Sequence, residues 1–447
     1  MKSAERRFDS VLANIDWTLI VCAAVLSVAG IVMIYSATMR TGSPVTFVGR
    51  QFFAMLIGML LCALMIWMNY KMLADFAPHF YVLGTLMLVA VLLFGTQIRG
   101  TRGWFNLGFF NFQPVEVTKL FFITILAAYL SANWKNIFRL GSLVVPAAAL
   151  AVQVVLILAQ PDFSSAIVYF PIFIFMIYFA GAGVIHIAHI VLFGAISVGI
   201  PLAATYIKIK HPDVIKSLVG GFLYRASYDI NTALAALLAA ASAIFFMWWI
   251  IHKLRFRVPL IFAISLVTVL AAGTFSSFVV SRSLKEYQRR RLIVFVDPKI
   301  DPLGSGYNII QSQIAVGSGR IFGKGVFAGS QSGLGFLPEQ HTDFVFSVIG
   351  EETGFLGSAA FLGVYFLFMW RVLAVIRDAR DRTGSLMAAG IGVMFIFYFV
   401  TNIAMTLGLA PVTGLPLPFV SYGGSSMASA WMAVGILESI HARRFTY

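Results

Sequence analysis

Of the 447 residues only 11% are charged and 60% are hydrophobic, 42 of them phenylalanine, against about 25% charged in an average soluble domain. The outside of any compact fold would therefore be apolar too, which excludes a soluble globular protein and a disordered chain. The formal charge of +14, from 32 Lys+Arg against 18 Asp+Glu, would suggest nucleic acid in a soluble protein; here the placement of the charges decides, and no nucleic-acid partner is expected.

The first fifteen residues carry Lys2, Arg6 and Arg7. The apolar run after them is too long for a cleaved signal peptide and lacks a small-residue cleavage site, so it reads as a retained first span. A helix crossing a bilayer needs about 20 mostly apolar residues, since its backbone must be satisfied within the segment. About twelve such runs follow in order, near 17–37, 50–69, 76–95, 115–132, 141–160, 165–182, 184–206, 231–251, 258–280, 354–376, 385–408 and 422–440. The expected fold is an all-α polytopic membrane protein. Cys22 and Cys62 lie inside two of these runs, which excludes a disulfide framework.

Cytoplasmic loops accumulate Lys and Arg. With the N-terminus inside, the cytoplasmic segments hold fifteen, among them Lys71, Lys135, Lys253, Arg371 and Arg443, whereas the short external loops hold Arg40, Arg50, Arg99 and Arg102. Both termini are then cytoplasmic, and the long loops 207–230 and 281–343 face outward. The second long loop carries eight cations, Arg282, Lys285, Arg289, Arg290, Arg291, Lys299, Arg320 and Lys324, and the first adds Lys208, Lys210, Lys216 and Arg225. They fit either a solvated surface beside headgroups or an external site for an anionic, lipid-borne substrate.

Glycines and Pro114 break helicity in TQIRGTRGWFNLGFFNFQPVEVTK, residues 96–119; Trp104 suits an interface, and Arg99 and Arg102 suit an anion. Its tail enters the fourth span, where Glu116 and Lys119 share a helical face. Ionisable groups in a span are functional candidates, and a structural ion pair is the other reading. Asp162 in QPDFSS sits at a helix break and could simply cap the next helix.

Residues 291–357 are too polar and glycine-rich to span yet too apolar for a free loop. Within them 307–316 forms a short amphipathic interfacial helix with Tyr307, Ile310 and Ile314 on one side. Gly323-Lys324 is followed by Gly325, so no P-loop is present. The seven histidines are scattered with no zinc-binding pattern; His186 and His189 read as packing or interfacial residues, and His341 beside Asp343 as structural or assisting a site. In TNIAMTLGLAPVTGLPLPFVSYGGSSMAS, residues 401–429, Pro416 and Pro418 hold an extended turn and Ser421, Gly423, Gly424 and Ser425 open the last helix. A helix N-terminus with small residues suits an anion or close packing.

Together DWTLI with VMIYSAT, RGTRGWFNLGFFNFQPVEVTK, DPLGSGYNIIQSQIAVGSG with FLPEQHTDFVFSVIGEE, and PLPFVSYGGSS resemble the SEDS family of shape, elongation, division and sporulation proteins over nearly the whole chain. The short N-terminal tail and the wording of the long loop are closer to the elongation member than to the division member. The resemblance implies a peptidoglycan glycosyltransferase of the bacterial inner membrane that polymerises lipid II at its outer face. Implied partners are a class B penicillin-binding protein, which is a transpeptidase, and other elongation-complex membrane proteins. A lipid II flippase and a non-catalytic scaffold are the alternatives.

The family's aspartate in the DPxGxGY motif corresponds to Asp301; on the residues alone, turn formation competes and Asp297 is an equal rival. Substrate binding is expected at Arg99, Arg102, Trp104, Gln113, Glu116, Lys119, Gln311 and Ser421. A divalent cation (Mg or Mn) is neither demanded nor excluded. Two departures stand out: QPDFSS replaces the usual QPDLGT, and residues 207–280 add two helices to a ten-span core. The expected organisation is one membrane domain, 1–447, with that insertion and a catalytic external loop at 281–343.

Overall fold

The computed structural model describes residues 13–40, 43–98, 100–106, 108, 111–137, 140–210, 213–214, 217–256, 258–283, 305–331 and 337–445. Asp297, Asp301 and Arg99, together with Lys285, Arg289, Arg290, Arg291 and Lys299, lie outside the described residues.

The chain divides into two compact units, one made of Met1–Ala182 and Asn308–Tyr447 and the other of Gly183–Tyr307. The first begins with α1 (Trp17–Thr38), α2 (Pro44–Trp67), the short α3 (Tyr70–Asp75) and α4 (Ala77–Phe94). A three-stranded antiparallel sheet follows, β1 (Thr96–Ile98), β2 (Thr101–Asn106) and β3 (Asn111–Phe112). Then come α5 (Pro114–Ala132), α6 (Val144–Ala159) and α7 (Phe163–Phe179). The second unit contains α8 (Val184–Lys210), α9 (Leu218–Tyr228), α10 (Ile230–Lys253) and α11 (Leu260–Ser283). The chain rejoins the first unit through α12 (Ser305–Ser318) and ends with α13 (Val345–Asp378), α14 (Arg382–Thr406) and α15 (Gly424–Ala442).

Among the described residues ten helices are long and apolar enough to cross a membrane; the protein is a multi-pass membrane protein. Two helices that the sequence reading counted as spans are outside that set. One is α7, with 17 residues. The other is α15, which is less apolar for a physical reason: residues 429–442 are buried without interruption, so its surface meets protein and has no need of lipid-compatible side chains.

Helix starts are set by caps. Asp16 accepts from the Thr18 and Leu19 amides at the head of α1, and prolines open α2 and α5, where a missing N–H removes no helical bond. Lipid tails are as apolar as leucine, so close packing holds these helices together. On α15 against α2, a Cβ at Gly435 would lie 2.5 Å from the Cys62 carbonyl oxygen and one at Gly58 would lie 2.9 Å from Trp431 Cβ. The Trp431 indole donates to Ser27 Oγ of α1 at 3.2 Å.

Residues 96–112, read from the sequence only as a helix-breaking segment, pair as a meander, with Gln97 opposite Arg102 and Phe105 opposite Phe112. The tenth expected span began at 354, whereas α13 begins at Val345 and is interrupted at Gly354, with φ 65° and ψ −162°. The break persists because another segment fills it. Lys324 N and Gly325 N donate to the carbonyls of Glu351 and Glu352 at 3.1 and 3.0 Å, while Phe355 N and Leu356 N donate to those of Arg320 and Ile321 at 2.8 and 3.1 Å. Buried Glu351 accepts from Lys324 Nζ and from the Ser330 and Gln331 amides, each at 2.8 Å. Lys324, one of the loop cations, is thus committed to a structural pair.

In the expected amphipathic helix, now α12, the buried face is Ile309, Ser312 and Ala315, while Ile314 is exposed. Ser312 tolerates burial because its hydroxyl reaches Ser347 Oγ at 2.6 Å and the Thr406 carbonyl at 2.7 Å.

At the opposite end of α14, Asp381 accepts from the Gly384 amide at 2.8 Å and from the Tyr70 hydroxyl at 2.9 Å, and pairs with Lys71 at 3.3 Å. Burial pushes its carboxyl up, but the Gly384, Tyr70 and Lys71 bonds outweigh it and hold Asp381 below its ordinary value. Burial and the Asp381 bond in turn raise the Tyr70 phenol.

Within the second unit α8 packs along α11, where a Cβ at Gly273 would lie 3.0 Å from Ile196. His189 Nδ1 donates to the Ile185 carbonyl at 2.6 Å and Ser265 Oγ lies 3.2 Å from Nε2, a packing arrangement. The unit takes in the expected insertion, 207–280.

Candidate functional site

The site is built where α5, α7, α14 and α15 meet in the first unit. Pro114 starts α5, so Glu116 falls in its first turn, where the positive helix end favours a carboxylate. Lys119, one turn later, is fully buried, and its Nζ donates to Glu116 Oε1 at 2.8 Å. The same ammonium donates to the Tyr398 hydroxyl of α14 and lies 4.7 Å from the centre of that ring. Two charges this deep need each other: isolated, each would bear a desolvation cost of several kcal/mol. Ser429 of α15 donates to the Glu116 carbonyl at 2.8 Å.

Gln113, just before α5, links this cluster to two other helix starts. Its side-chain amide donates to Asp162 Oδ2 at 3.0 Å and its backbone N–H donates to Ser425 Oγ at 2.8 Å. Asp162 caps α7, accepting from Ser165 N at 3.0 Å and Ser165 Oγ at 2.7 Å. The capping expected of Asp162 is therefore present, together with a bond to Gln113. Ser425 Oγ also donates to the Asn111 carbonyl of β3 at 3.1 Å, joining the sheet to the head of α15.

Other expected residues lie elsewhere. The Arg102 guanidinium donates to the carbonyls of Gly95 and Leu93 at 3.0 and 3.2 Å, covering the C-terminal end of α4. Trp104 is half-buried on β2, and its carbonyl accepts from Thr96 Oγ1 at 3.0 Å. Gln311 is half-buried on α12. Ser421 is buried with its hydroxyl accepting from Leu417 N at 2.8 Å, which holds the proline-rich turn. His341 lies among rings, 5.1 Å from Phe47 and 5.6 Å from Tyr422 between centroids.

Several polar residues in the core had not been singled out in the sequence. Gln51 of α2 reaches across to the 421–423 turn, donating to the Ser421 carbonyl at 3.1 Å and accepting from Gly423 N at 3.0 Å. Asn402, one turn beyond Tyr398 on α14, donates to the carbonyls of Asp343 and Leu415 at 2.9 and 2.8 Å. It thereby ties the end of the long loop to the turn before α15. Both are amides inside apolar runs, and that contrast was the signal available. Glu351 and Glu352 were overlooked because the polar run GEETG read as loop.

The arrangement offers a buried cation and carboxylate beneath a polar rim of Gln113, Asp162, Ser164 and Asp343. At that rim Gly414, at φ 71°, brings the chain to where a Cβ would lie 3.3 Å from Asp343 Oδ2 and 3.6 Å from Ser164 Oγ.

Known proteins are similar to this chain over nearly its whole length. The chain is 32% identical to the peptidoglycan glycosyltransferase RodA of Treponema pallidum (strain Nichols), across 97% of this chain and 99% of that protein. It is 28% identical to the peptidoglycan glycosyltransferase MrdB of Escherichia coli (strain K12), across 96% and 94%. Among solved structures, a chain from work described as "Structural coordination of polymerization and crosslinking by a peptidoglycan synthase complex" superimposes with TM-score 0.63 at 27% identity, covering 97% of this chain and 99% of that one. A mutant of the Thermus thermophilus rod shape determining protein RodA gives TM-score 0.60 at 25% identity, with 97% and 99% covered. The family profile of the FtsW, RodA and SpoVE cell cycle proteins matches residues 16–240 and again 201–445, and the chain belongs to that family.

Proposed function

We propose that this chain is a peptidoglycan glycosyltransferase that polymerises lipid II into β-1,4 glycan at the outer face of the bacterial inner membrane, with both termini in the cytoplasm. Support comes from two similar proteins that are named peptidoglycan glycosyltransferases. The structural observation that carries the reading is the anchoring of α12. Ser305–Tyr307, the end of the DPLGSGY motif, open this helix, and Ser312 bonds it to α13 and α14, the latter carrying Tyr398 of the buried cluster.

The reaction joins a sugar hydroxyl of one lipid II to the anomeric carbon of another chain and expels undecaprenyl diphosphate. A sugar hydroxyl is a weak nucleophile, so a carboxylate within hydrogen-bond reach takes its proton as the new bond forms. Asp301 is assigned that role. The breaking bond leaves its electron pair on the diphosphate, which departs unprotonated when cations offset its growing charge; Arg99, Arg102 and the loop cations that precede α12, Lys285, Arg289, Arg290, Arg291 and Lys299, are the candidates. Direct displacement inverts the anomeric centre and turns an α-linked donor into a β-linked product. Neighbouring cations lower a carboxylate's pKa and burial raises it, so Asp301 must balance the two to act as a base.

Gln113, Glu116 and Lys119 are assigned to the wall of the substrate cavity, with Trp104, Gln311 and Ser421 as further contacts. The partner is a class B penicillin-binding protein supplying the crosslinking step, a reading supported by the synthase-complex structure that this chain resembles. The test is polymerisation of lipid II by the purified chain with such a transpeptidase. Asp301→Asn is expected to abolish glycan synthesis while the complex stays intact. Glycan made by a well-folded Asp301→Ala variant would overturn the assignment, and lipid II crossing liposomes without polymerising would favour a flippase.

A further inference from the structure

We propose that the loop 320–327 is a membrane anchor whose tip, Ile321 and Phe322, enters the acyl region of the leaflet adjoining the Gly354 end of α13, with Arg320 at the phosphate level. The placement follows from the backbone. Phe355 and Leu356, which open the continuous apolar part of α13, donate their amides to the carbonyls of Arg320 and Ile321. The loop therefore lies level with the first turn of a membrane-spanning segment.

Its surface is wrong for water at that level. Phe322 is 80% exposed and Ile321 57%, and they adjoin Phe355 at 68% and Leu356 at 51%. Four large apolar side chains on two bonded segments make one patch, of a kind rare on a water-facing surface. The occupant is set by continuity: farther along α13, Phe366 and Trp370 are also exposed, and in a multi-pass protein that face meets acyl chains. The patch extends the same band past the end of the helix, as does Ile314 of α12, exposed on the side away from Ser312. Arg320 is exposed and precedes the tip, the arrangement in which an arginine extends to a headgroup phosphate while its neighbours sit deeper.

The loop is also held stiffly enough to anchor something. Lys324 and the Ser330 and Gln331 amides are bonded to Glu351, and the Phe327 amide donates to Glu352 at 3.1 Å. A tip fixed in lipid would thus hold the start of α13, to which the loop is bonded, at a constant height in the leaflet. This inference rests on the membrane fold and stands whichever reaction the chain performs.

The test uses the full chain in vesicles of phosphatidylethanolamine and phosphatidylglycerol, with a nitroxide on Phe322→Cys and the two native cysteines replaced. Nitroxides on Phe366→Cys and Arg377→Cys serve as lipid and water references. The oxygen-to-nickel-chelate accessibility ratio at position 322 is expected to match that at 366 and to lie several-fold above that at 377. A ratio equal to that at 377 overturns the proposal. So does a water-like ratio that becomes protected only when a transpeptidase partner is added, because the patch would then belong to a protein interface.

Discussion

Lys119 Nζ and Glu116 Oε1 lie 2.8 Å apart inside α5, and the lysine is wholly buried. The pair's worth depends on which half is removed. Lys119→Met leaves Glu116 charged without its partner and is expected to destabilise the protein by about 3–5 kcal/mol. The double variant Glu116→Gln with Lys119→Met leaves no buried charge and should recover most of that loss. Thermal unfolding in detergent of the two single variants and the double variant measures the coupling directly.

Asp162 carries two jobs, capping α7 and receiving Gln113. Asp162→Ala removes both and should cost about 0.5–2 kcal/mol, the usual range for a lost cap. Asp162→Asn keeps an acceptor oxygen and should lose only a fraction of it. Comparing melting temperatures of the two separates the cap from the charge.

The interlock at the α13 break is sterically exacting. Gly323 has φ 78°, and a Cβ there would lie 2.1 Å from the Glu352 carbonyl oxygen. Gly323→Ala must distort the loop or the break, with an expected loss of about 1–3 kcal/mol. Gly325→Ala shares the unfavourable φ but meets nothing closer than 3.7 Å, so it should lose less. Limited proteolysis of the external loop gives a second readout for both.

Asp381 predicts a pH dependence. Its carboxyl is held below its ordinary value of 3.8 in the folded protein. The folded state therefore binds its proton less readily than the unfolded state, and stability rises with pH through this range. The contribution is fully present above 3.8 and is lost as pH falls through the lower folded value. Asp381→Asn should flatten that acid limb and leave the curve near neutrality parallel to the parent. Unfolding measured between acid and neutral pH checks both parts.

Most of the helical frame could be read from composition, because a bilayer imposes long apolar runs and leaves few ways to satisfy a backbone. What could not be read were the places where polar groups are satisfied at a distance. Thr96–Phe112 looked only like a break, since its strands are short and their pairing is a tertiary fact. Glu351 and Glu352 looked like loop residues, although they continue a helix whose break is filled by a segment about thirty positions earlier. Glu116 and Lys119 stood out because their partnership is local, three residues apart on one face. Tyr398 and Asn402 did not, because their partners come from α5, the 343 region and the 415 turn. Asp162 was read correctly as a cap, but its bond to Gln113 spans 49 positions and had no local signature.

The uninterrupted burial of 429–442 bears on how the molecule is made. α15 is the helix around which α2, α5 and α14 close, and it is last in chain order. The helices that pack on α15, α2, α5 and α14 among them, enter the bilayer before that neighbour exists, facing lipid or other helices along what will become the interior. The groove where Gly58 and Cys62 await Trp431 and Gly435 is filled only after translation has passed Ala442, so assembly of this unit is a late, post-insertion event.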